Sequence, residues 1–324
     1  MFEFSWNAKW VKRHASFCVV IIMVYDEYLS CRLCPRECNV NRNAGEKGFC
    51  AQTNLIKAGR AALHFWEEPC ICDKNGSGAV FFSGCSLRCT YCQNFKLSRG
   101  KQGIEISEEK LADIYLNLQQ EGANNINLVT AEHFAPQIRQ SILLAREKGL
   151  ILPVILNSSG YVNEFCLEIL RDVIDIYLVD FKYMDEKMSH NYSMAKDYPC
   201  VAKKALQKMV EYAPNLIFNE KGLLQKGVIV RHLCLPGHSE DSKNVLEYVY
   251  KTYGNNVLLS IMSQYTPVNE NKEFPNLNKA LSEKEYDEIL DFCIDIGIEE
   301  AFIQDGEAAS ESFIPEFNGQ GIIY

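Results

Sequence analysis

The sequence predicts an α/β protein in which an incomplete (β/α)6 barrel follows a small cysteine-rich metal-binding unit. Two observations carry this prediction: short apolar runs alternate with amphipathic stretches after residue 77, and ten of the 14 cysteines precede residue 93. Six of these runs have the length and composition of buried strands, at residues 79–82, 126–130, 151–157, 174–180, 228–233 and 257–264. Strands that alternate with helices favour right-handed crossovers and a parallel sheet covered on its outer face.

Helix start and stop signals delimit two of the connecting helices. The first is expected over residues 107–120, with Ser107 as the N-cap and acidic residues in the first turn, where they complement the helix dipole. The second is expected over residues 136–148, and Gly149 supplies its C-terminal stop.

The composition bounds the class of protein. At 324 residues, 47% hydrophobic and 23% charged, the chain has the balance of a globular protein with one large domain and a smaller unit. Its net charge of −9 argues against a chain-wide grip on a phosphate backbone, so nucleic acid is not an expected partner. Cysteines grouped two or three residues apart suit a shared metal better than disulfide bridges between distant segments.

Composition shifts divide the chain into four segments: an N-terminal extension (1–27), the cysteine-rich unit (28–74), the barrel (75–265) and a C-terminal helix and strand that complete it (266–324). The apolar run at residues 17–25 lacks a small-residue cleavage site and is shorter than the roughly 20 residues that span a bilayer. Translation from Met23 is an alternative origin for the extension. No membrane partner and a cytoplasmic location are therefore expected.

The most specific motif is a loop of three cysteines, Cys85, Cys89 and Cys92, directly after the first predicted strand. Three closely spaced thiolates can face one iron–sulfur cluster. Because a cubane cluster has four irons, three protein ligands leave one iron open to an external molecule, whereas a structural zinc site is closed by a fourth ligand. Gly84 suits a close backbone approach before the first ligand, and Tyr91 offers an aromatic wall for an adenine.

This C-x3-C-x2-C spacing resembles the hallmark of the radical S-adenosylmethionine (SAM) superfamily. Further phrases, at residues 157–161, 180–183 and 231–238, follow in the same order as in the homologues of pyruvate formate-lyase activating enzyme. The resemblance implies an incomplete (β/α)6 barrel of the radical SAM type and a [4Fe–4S] cluster on Cys85, Cys89 and Cys92. It also implies that the reduced cluster cleaves SAM to methionine and a 5′-deoxyadenosyl radical.

Polar residues that follow the predicted strands acquire roles from the same resemblance. It implies that Glu132 and Asn157 hold the ammonium group of SAM. It implies further that the ribose and the carboxylate are addressed by Asp180, Lys182, Arg231 and Gln264. Charge agrees with these roles, because a carboxylate suits an ammonium and a lysine or arginine suits a carboxylate. The family's Gly-Gly-Glu is Thr130-Ala131-Glu132 here, which keeps the acid and loses the flexibility of glycine.

A second cysteine group precedes the barrel and consists of Cys31, Cys34, Cys38 and Cys50. Four thiolates fill a tetrahedral site, and a metal there would contribute directly to the folding of a segment with few apolar residues. Zinc and a second iron–sulfur cluster are alternatives, since both accept four thiolates. Cys70 and Cys72 are near enough in sequence to be alternative ligands.

The resemblance implies a radical SAM oxidoreductase of the activating-enzyme type, which abstracts hydrogen from a glycine of a glycyl-radical enzyme. A low-potential electron donor such as flavodoxin or ferredoxin would be its second protein partner. Radical SAM modification of another peptide, a small molecule or RNA is an alternative, since a shared fold and cofactor do not fix the substrate. A non-catalytic iron–sulfur or zinc protein is a third hypothesis, which the polar residues at the strand ends disfavour.

Overall fold

The computed structural model describes residues 24–267, 270–303 and 315–323, so Met23 and nearly all of the 17–25 run lie outside the described residues. The strands are β1 (Ile56–His64), β2 (Ser77–Phe82), β3 (Ile104–Ile106), β4 (Ile126–Val129), β5 (Val154–Ser158), β6 (Ile176–Asp180), β7 (Ile217–Phe218), β8 (Leu224–Leu233), β9 (Leu258–Met262) and β10 (Phe302–Ile303). The α-helices are α1 (Phe95–Ser98), α2 (Glu108–Gln120), α3 (Ala135–Glu147), α4 (Glu164–Leu170), α5 (Glu186–Ser193), α6 (Tyr198–Tyr212), α7 (Ser239–Tyr253) and α8 (Glu283–Asp295).

The strands form one open, mostly parallel sheet in the order β10-β9-β8-β6-β5-β4-β2-β1-β3, with β7 paired to β8 beside this path. The neighbours from β2 to β9 pair in parallel, and they are the six strands that the sequence predicts. β10 extends the sheet in parallel beyond β9. The predicted fold class, an incomplete α/β barrel, is confirmed.

The two helices with clear end signals are found within one residue of their predicted bounds. Ser107 caps α2 by accepting a hydrogen bond from the Lys110 amide at 3.2 Å. Gly149, after α3, has a φ of +102°, a conformation that glycine adopts without a Cβ penalty. None of the helices in the described ranges combines the length and the apolar character needed to cross a membrane.

The two faces of the sheet pack differently. Leu156 in β5 belongs to the large core that the helices cover, and Ile155, its neighbour in the same strand, belongs to a small second cluster. Because successive side chains of a strand point to opposite faces, this second cluster lies on the concave face of the sheet. Cys70 and Ile71 pack there, so the end of the cysteine-rich segment fills the interior of the partial barrel.

β1 is not among the predicted strands and lies inside the cysteine-rich segment (28–74). β1 pairs antiparallel with β2, so the cysteine-rich segment is continuous with the main sheet. Its sequence is rich in Ala and Gly and has little of the β-branched character that marks a strand. A C-terminal stretch pairs with it, because the Ala61 amide donates to the Gln320 carbonyl at 2.8 Å and the Gly319 amide donates to the Gly59 carbonyl at 3.0 Å.

Candidate active site

A cavity of about 270 Å³ lies at the carboxyl ends of the parallel strands, where barrel proteins place their chemistry. Nine of the predicted site residues line it together: Cys85, Cys89, Tyr91, Cys92, Asn157, Asp180, Lys182, Arg231 and Gln264. Glu132 and the second cysteine group lie outside the lining.

The cysteine loop leaves β2 through a position that only glycine fits. Gly84 has a φ of +90°, and a Cβ added there would lie 2.6 Å from the carbonyl oxygen of Cys50. Both the conformation and the close approach exclude a side chain. The loop of Cys85, Cys89 and Cys92 is therefore in direct contact with the second cysteine group.

The three thiols of the loop are buried close to one another. Burial raises the pKa of Cys85 to about 12, and the neighbouring Cys89 and Cys92 thiols act in the same direction. The Cys85 sulfur accepts a hydrogen bond from the Leu87 amide at 3.3 Å. A metal centre bound here would displace thiol protons, because the thiolate is the ligand form.

Hydrogen bonds hold Tyr91 and Cys89 in place. The Tyr91 hydroxyl lies 2.6 Å from the Tyr183 hydroxyl, and the Tyr183 hydroxyl lies 2.8 Å from the Ser193 hydroxyl. The Ser193 hydroxyl in turn donates to the Cys89 sulfur at 3.1 Å. The Tyr91 ring also meets the Tyr265 ring edge-to-face, with centroids 6.1 Å apart. Tyr91 is thus fixed in the cavity lining beside the cysteines.

Arg231 joins polar residues of β5, β6 and the segment after β1 at the floor of the cavity. Its Nε donates to Oδ1 of Asp180 at 2.9 Å, its Nη2 to Oδ1 of Asn157 at 2.7 Å, and its Nη1 to Oε2 of Glu67 at 3.0 Å. Lys182 Nζ donates to the other carboxylate oxygen of Asp180 at 2.8 Å. Burial would raise the pKa of Asp180, but the charges of Lys182 and Arg231 hold it at about 2, so this carboxylate is ionised at neutral pH.

Glu67, which lines the cavity, and Glu68, which lies behind it near Arg231, are not among the residues predicted from the sequence. The Glu67 side chain is 6% exposed, and its Oε1 accepts a hydrogen bond from Asn127 at 2.9 Å. Oε2 of Glu68 lies 3.9 Å from Arg231 Nη1, and no described residue gives it a hydrogen bond. The sequence feature that could have indicated them is the acidic pair directly before Pro69 and Cys70, within the segment predicted to bind a metal.

Glu132 is buried just behind the cavity lining. Burial raises the pKa of its carboxyl group, and the nearby Ser158 side chain and Ser159 backbone, which do line the cavity, oppose that rise. Within the described ranges its Oε1 has no hydrogen-bond partner. An unpaired buried carboxylate oxygen is costly, so this atom suits a cationic ligand.

The residue that replaces a family glycine keeps the backbone conformation of glycine. Thr130 has a φ of +59°, which is strained for a β-branched side chain, and it lines the cavity. Its amide donates to the Asn157 carbonyl at 3.0 Å, which holds the turn in place.

Thr130→Gly is therefore expected to keep or raise the free energy of unfolding, by up to about 2 kcal/mol. Relief of about 1–3 kcal/mol of backbone strain exceeds the roughly 0.5–1 kcal/mol of entropy that glycine costs. Thr252→Gly in α7 makes the same chemical change at a helical position and should lower stability by a few tenths to 1 kcal/mol. Denaturant titrations of both variants test this, and an equal loss in the two would contradict it.

The second cysteine group is gathered beside the cavity. Burial raises the pKa of Cys34 to about 12, with smaller contributions from the thiols of Cys50, Cys31 and Cys38. Cys70 packs in the barrel interior, and the Cys72 thiol donates to the His64 carbonyl at 3.4 Å. Among the described residues no set of three or more His, Cys, Asp or Glu side chains is arranged around a single-ion position. The metal at this group stays a prediction.

The sequence model of the radical SAM superfamily matches residues 79–249, which run from β2 into α7 and include every cysteine of the cavity. The chain belongs to the radical SAM superfamily. Radical SAM proteins use a [4Fe–4S] cluster and SAM, which are therefore the cofactors of this enzyme. The match covers more than half of the chain and spans five of the six parallel strands of the barrel.

Other known proteins are similar over parts of the chain. An uncharacterized protein of Methanocaldococcus jannaschii is 25% identical over 274 residues, which are 82% of this chain and 75% of the relative. SuiB of Streptococcus suis, solved with SAM bound, has a TM-score of 0.48 at 12% identity over 68% of this chain. The chain covers 48%, about half, of SuiB. A domain of pyruvate-formate lyase-activating enzyme from Bacteroides vulgatus has a TM-score of 0.36 at 11% identity over 53% of this chain and 91% of that domain.

Proposed function

We propose that the protein cleaves SAM at a cluster held by Cys85, Cys89 and Cys92, and that the resulting radical abstracts hydrogen from a glycine of a partner protein. The observation that carries this proposal is the convergence of three thiols and six predicted polar residues in one cavity. When bound, the cluster supplies the electron that splits SAM into methionine and a 5′-deoxyadenosyl radical. The residues of the chain bind and orient SAM and exclude water from it.

The described residues fit the charges of SAM. The unpaired Oε1 of Glu132, next to cavity residues Ser158 and Ser159, supports a role for this residue in accepting the ammonium group. Lys182 and Arg231 are already oriented by Asp180, so a ligand carboxylate would meet cations that lose little freedom on binding. The ionised Asp180 is an acceptor for ribose hydroxyls at neutral pH.

Exposed aromatic residues at the rim of the cavity support a macromolecular substrate. Trp66 lines the cavity and is 61% exposed, and its neighbour Phe65 is 50% exposed. Large apolar side chains that remain in water beside a catalytic cavity are typical of a surface that binds another protein. This supports a glycine on a protein partner over a small free molecule.

Asp180→Ala and Lys182→Ala are each expected to weaken SAM binding tenfold to a hundredfold. Each change removes one partner of a buried charge-assisted contact, which costs about 1.5–3 kcal/mol. Lys148→Ala is the control, because Lys148 pairs with Asp113 at 2.7 Å where both side chains are about half exposed. Equilibrium SAM binding and iron content measure the effect. Unchanged affinity in both site variants, with the iron retained, would show that these roles are wrong.

Electron paramagnetic resonance tests whether the hydrogen is abstracted from a glycine of a partner protein. The anaerobically reconstituted protein, with reductant and SAM, is incubated with candidate glycyl-radical enzymes, and the spectrum is searched for a glycyl radical. The expected result is a stable organic radical on the partner that disappears in the partner's Gly→Ala variant. SAM cleavage without such a radical in any candidate would favour another peptide, a small molecule or RNA as the substrate.

A further inference from the structure

We propose that Cys31, Cys34, Cys38 and Cys50 hold a second iron–sulfur cluster that relays electrons to the cluster on the neighbouring loop of Cys85, Cys89 and Cys92. The inference rests on the proposed function, since the relay needs an acceptor. It assigns the second cysteine group a redox role in place of the structural role that zinc would have.

A buried arginine indicates that this group carries negative charge. Arg42 is 0% exposed, and its guanidinium donates to the backbone carbonyls of Thr53 and His133 and lies 3.9 Å from the Cys31 sulfur. None of these partners is a carboxylate, and an arginine in a protein is always charged. The Tyr28 ring, whose centroid lies 4.1 Å from the guanidinium, adds a cation–π contact but no negative charge, so thiolates bound to a metal centre would be a favourable counter-charge for this buried cation.

The group has one side toward solvent and one side toward the cavity loop. Cys34 and Cys38 are partly exposed, whereas Cys31 and Cys50 are buried. Cys50 is the member whose carbonyl approaches Gly84, immediately before Cys85. An electron carrier can therefore approach the side of Cys34 and Cys38, while the opposite side touches the loop that would hold the first cluster. A zinc ion would make no use of this arrangement, because it has no redox chemistry.

A continuous chain of contacts links the two groups through Arg36. The Phe49 amide donates to the Cys38 sulfur at 3.2 Å. The Arg36 guanidinium carbon lies over the Phe49 ring, 4.0 Å from the ring centroid. Arg36 Nη2 donates to the Ser193 carbonyl at 2.9 Å, and the Ser193 hydroxyl donates to the Cys89 sulfur at 3.1 Å.

Arg36 also reaches the cysteine loop directly. Its Nε donates to the Ser86 carbonyl at 2.9 Å, one residue after Cys85. One side chain of the cysteine-rich segment thus fixes the position of the loop at two points, which keeps the separation of the two groups constant.

The electron balance is simple. A reduced one-electron carrier of low potential, such as a ferredoxin or flavodoxin, loses one electron to the second cluster and is oxidised. The second cluster returns to its oxidised state when that electron passes to the cluster on the loop. No bond forms or breaks, and no proton is required for the transfer.

The first experiment isolates the second group. The variant Cys85→Ala/Cys89→Ala/Cys92→Ala, reconstituted anaerobically as the full chain, should keep about four irons and four sulfides. It should accept about one electron from reduced ferredoxin and then give a cluster signal in electron paramagnetic resonance. Zinc in place of iron, or iron that ferredoxin does not reduce, would overturn the proposal.

The second experiment tests the relay. In Cys34→Ser/Cys38→Ser, the ratio of ferredoxin-driven to dithionite-driven reduction of the loop cluster, followed by rapid-freeze spectroscopy, should fall at least tenfold. Arg36→Met should lower the same ratio without loss of iron, and Arg32→Met, which removes an exposed arginine bonded to Asn39, should not. An unchanged ratio in Arg36→Met and in the serine variant would overturn the relay.

The two experiments also separate this inference from the proposed function. If the wild-type protein reduced by dithionite does not cleave SAM, the proposed function fails, while the iron and electron count of the triple variant still decides what the second group binds. If the serine variant does not fold, the triple variant and Arg36→Met decide the inference.

Discussion

Cys89→Ala is expected to reduce SAM cleavage by at least four orders of magnitude and to remove the cluster from the cavity. Three thiolates are the minimum that holds a cubane cluster with one open iron, and this change leaves two. It also removes the sulfur that accepts the Ser193 hydroxyl, so the loop loses one of its fixed points. The amount of 5′-deoxyadenosine formed and the iron bound per chain measure the two effects.

The iron count must be made in a chain that also lacks Cys31, Cys34, Cys38 and Cys50, because the second group would otherwise contribute iron of its own. Cys200→Ser is the matched control, since Cys200 is an exposed free thiol on α6. It should keep both cluster and activity. Full iron in Cys89→Ala within that background would show that the loop is not the cluster site.

The fold could be predicted from the sequence because the parallel strands from β2 to β8 are mostly buried on both faces. Burial makes runs such as residues 126–129 and 176–179 almost continuously apolar, and that signal is local. β1 has no such signal. It pairs with β2, with β3 and with a C-terminal stretch far away in sequence. Its three alanines and one glycine become part of a strand only through tertiary pairing.

The site residues likewise fall into two groups: those that a local sequence pattern indicates, and those that only the tertiary fold brings to the site. Asp180 and Arg231 could be predicted because they lie at or near the carboxyl ends of parallel strands, and a barrel brings such positions together at one edge. Glu67 reaches Arg231 only because the chain turns into the barrel after β1, with Cys70 and Ile71 packed in the interior. No pattern within residues 64–72 encodes that path. The length of the connection and the pairing of β1 determine it.

This path brings Glu67 and Glu68 to Arg231, a position that neither the cysteine motif nor the strand ends indicate. Together with Asp180 they place three carboxylates around one guanidinium. Arg231 therefore supplies the positive charge that all three share. Burial raises the pKa of Glu68, and the positive charge of Arg231 opposes that rise.

Arg231→Met is accordingly expected to lower the free energy of unfolding by about 3–5 kcal/mol, because the loss of one partner leaves buried carboxylates without their counter-charge. Adding Glu67→Gln to this variant should restore part of the loss, since one uncompensated charge is then removed. Arg139→Met, which breaks a pair with Asp172 that is 51% exposed, should cost no more than about 1 kcal/mol. Denaturant titrations of the three variants decide the matter: a loss in Arg231→Met no larger than that in Arg139→Met would mean that Arg231 is not the residue that holds the floor together.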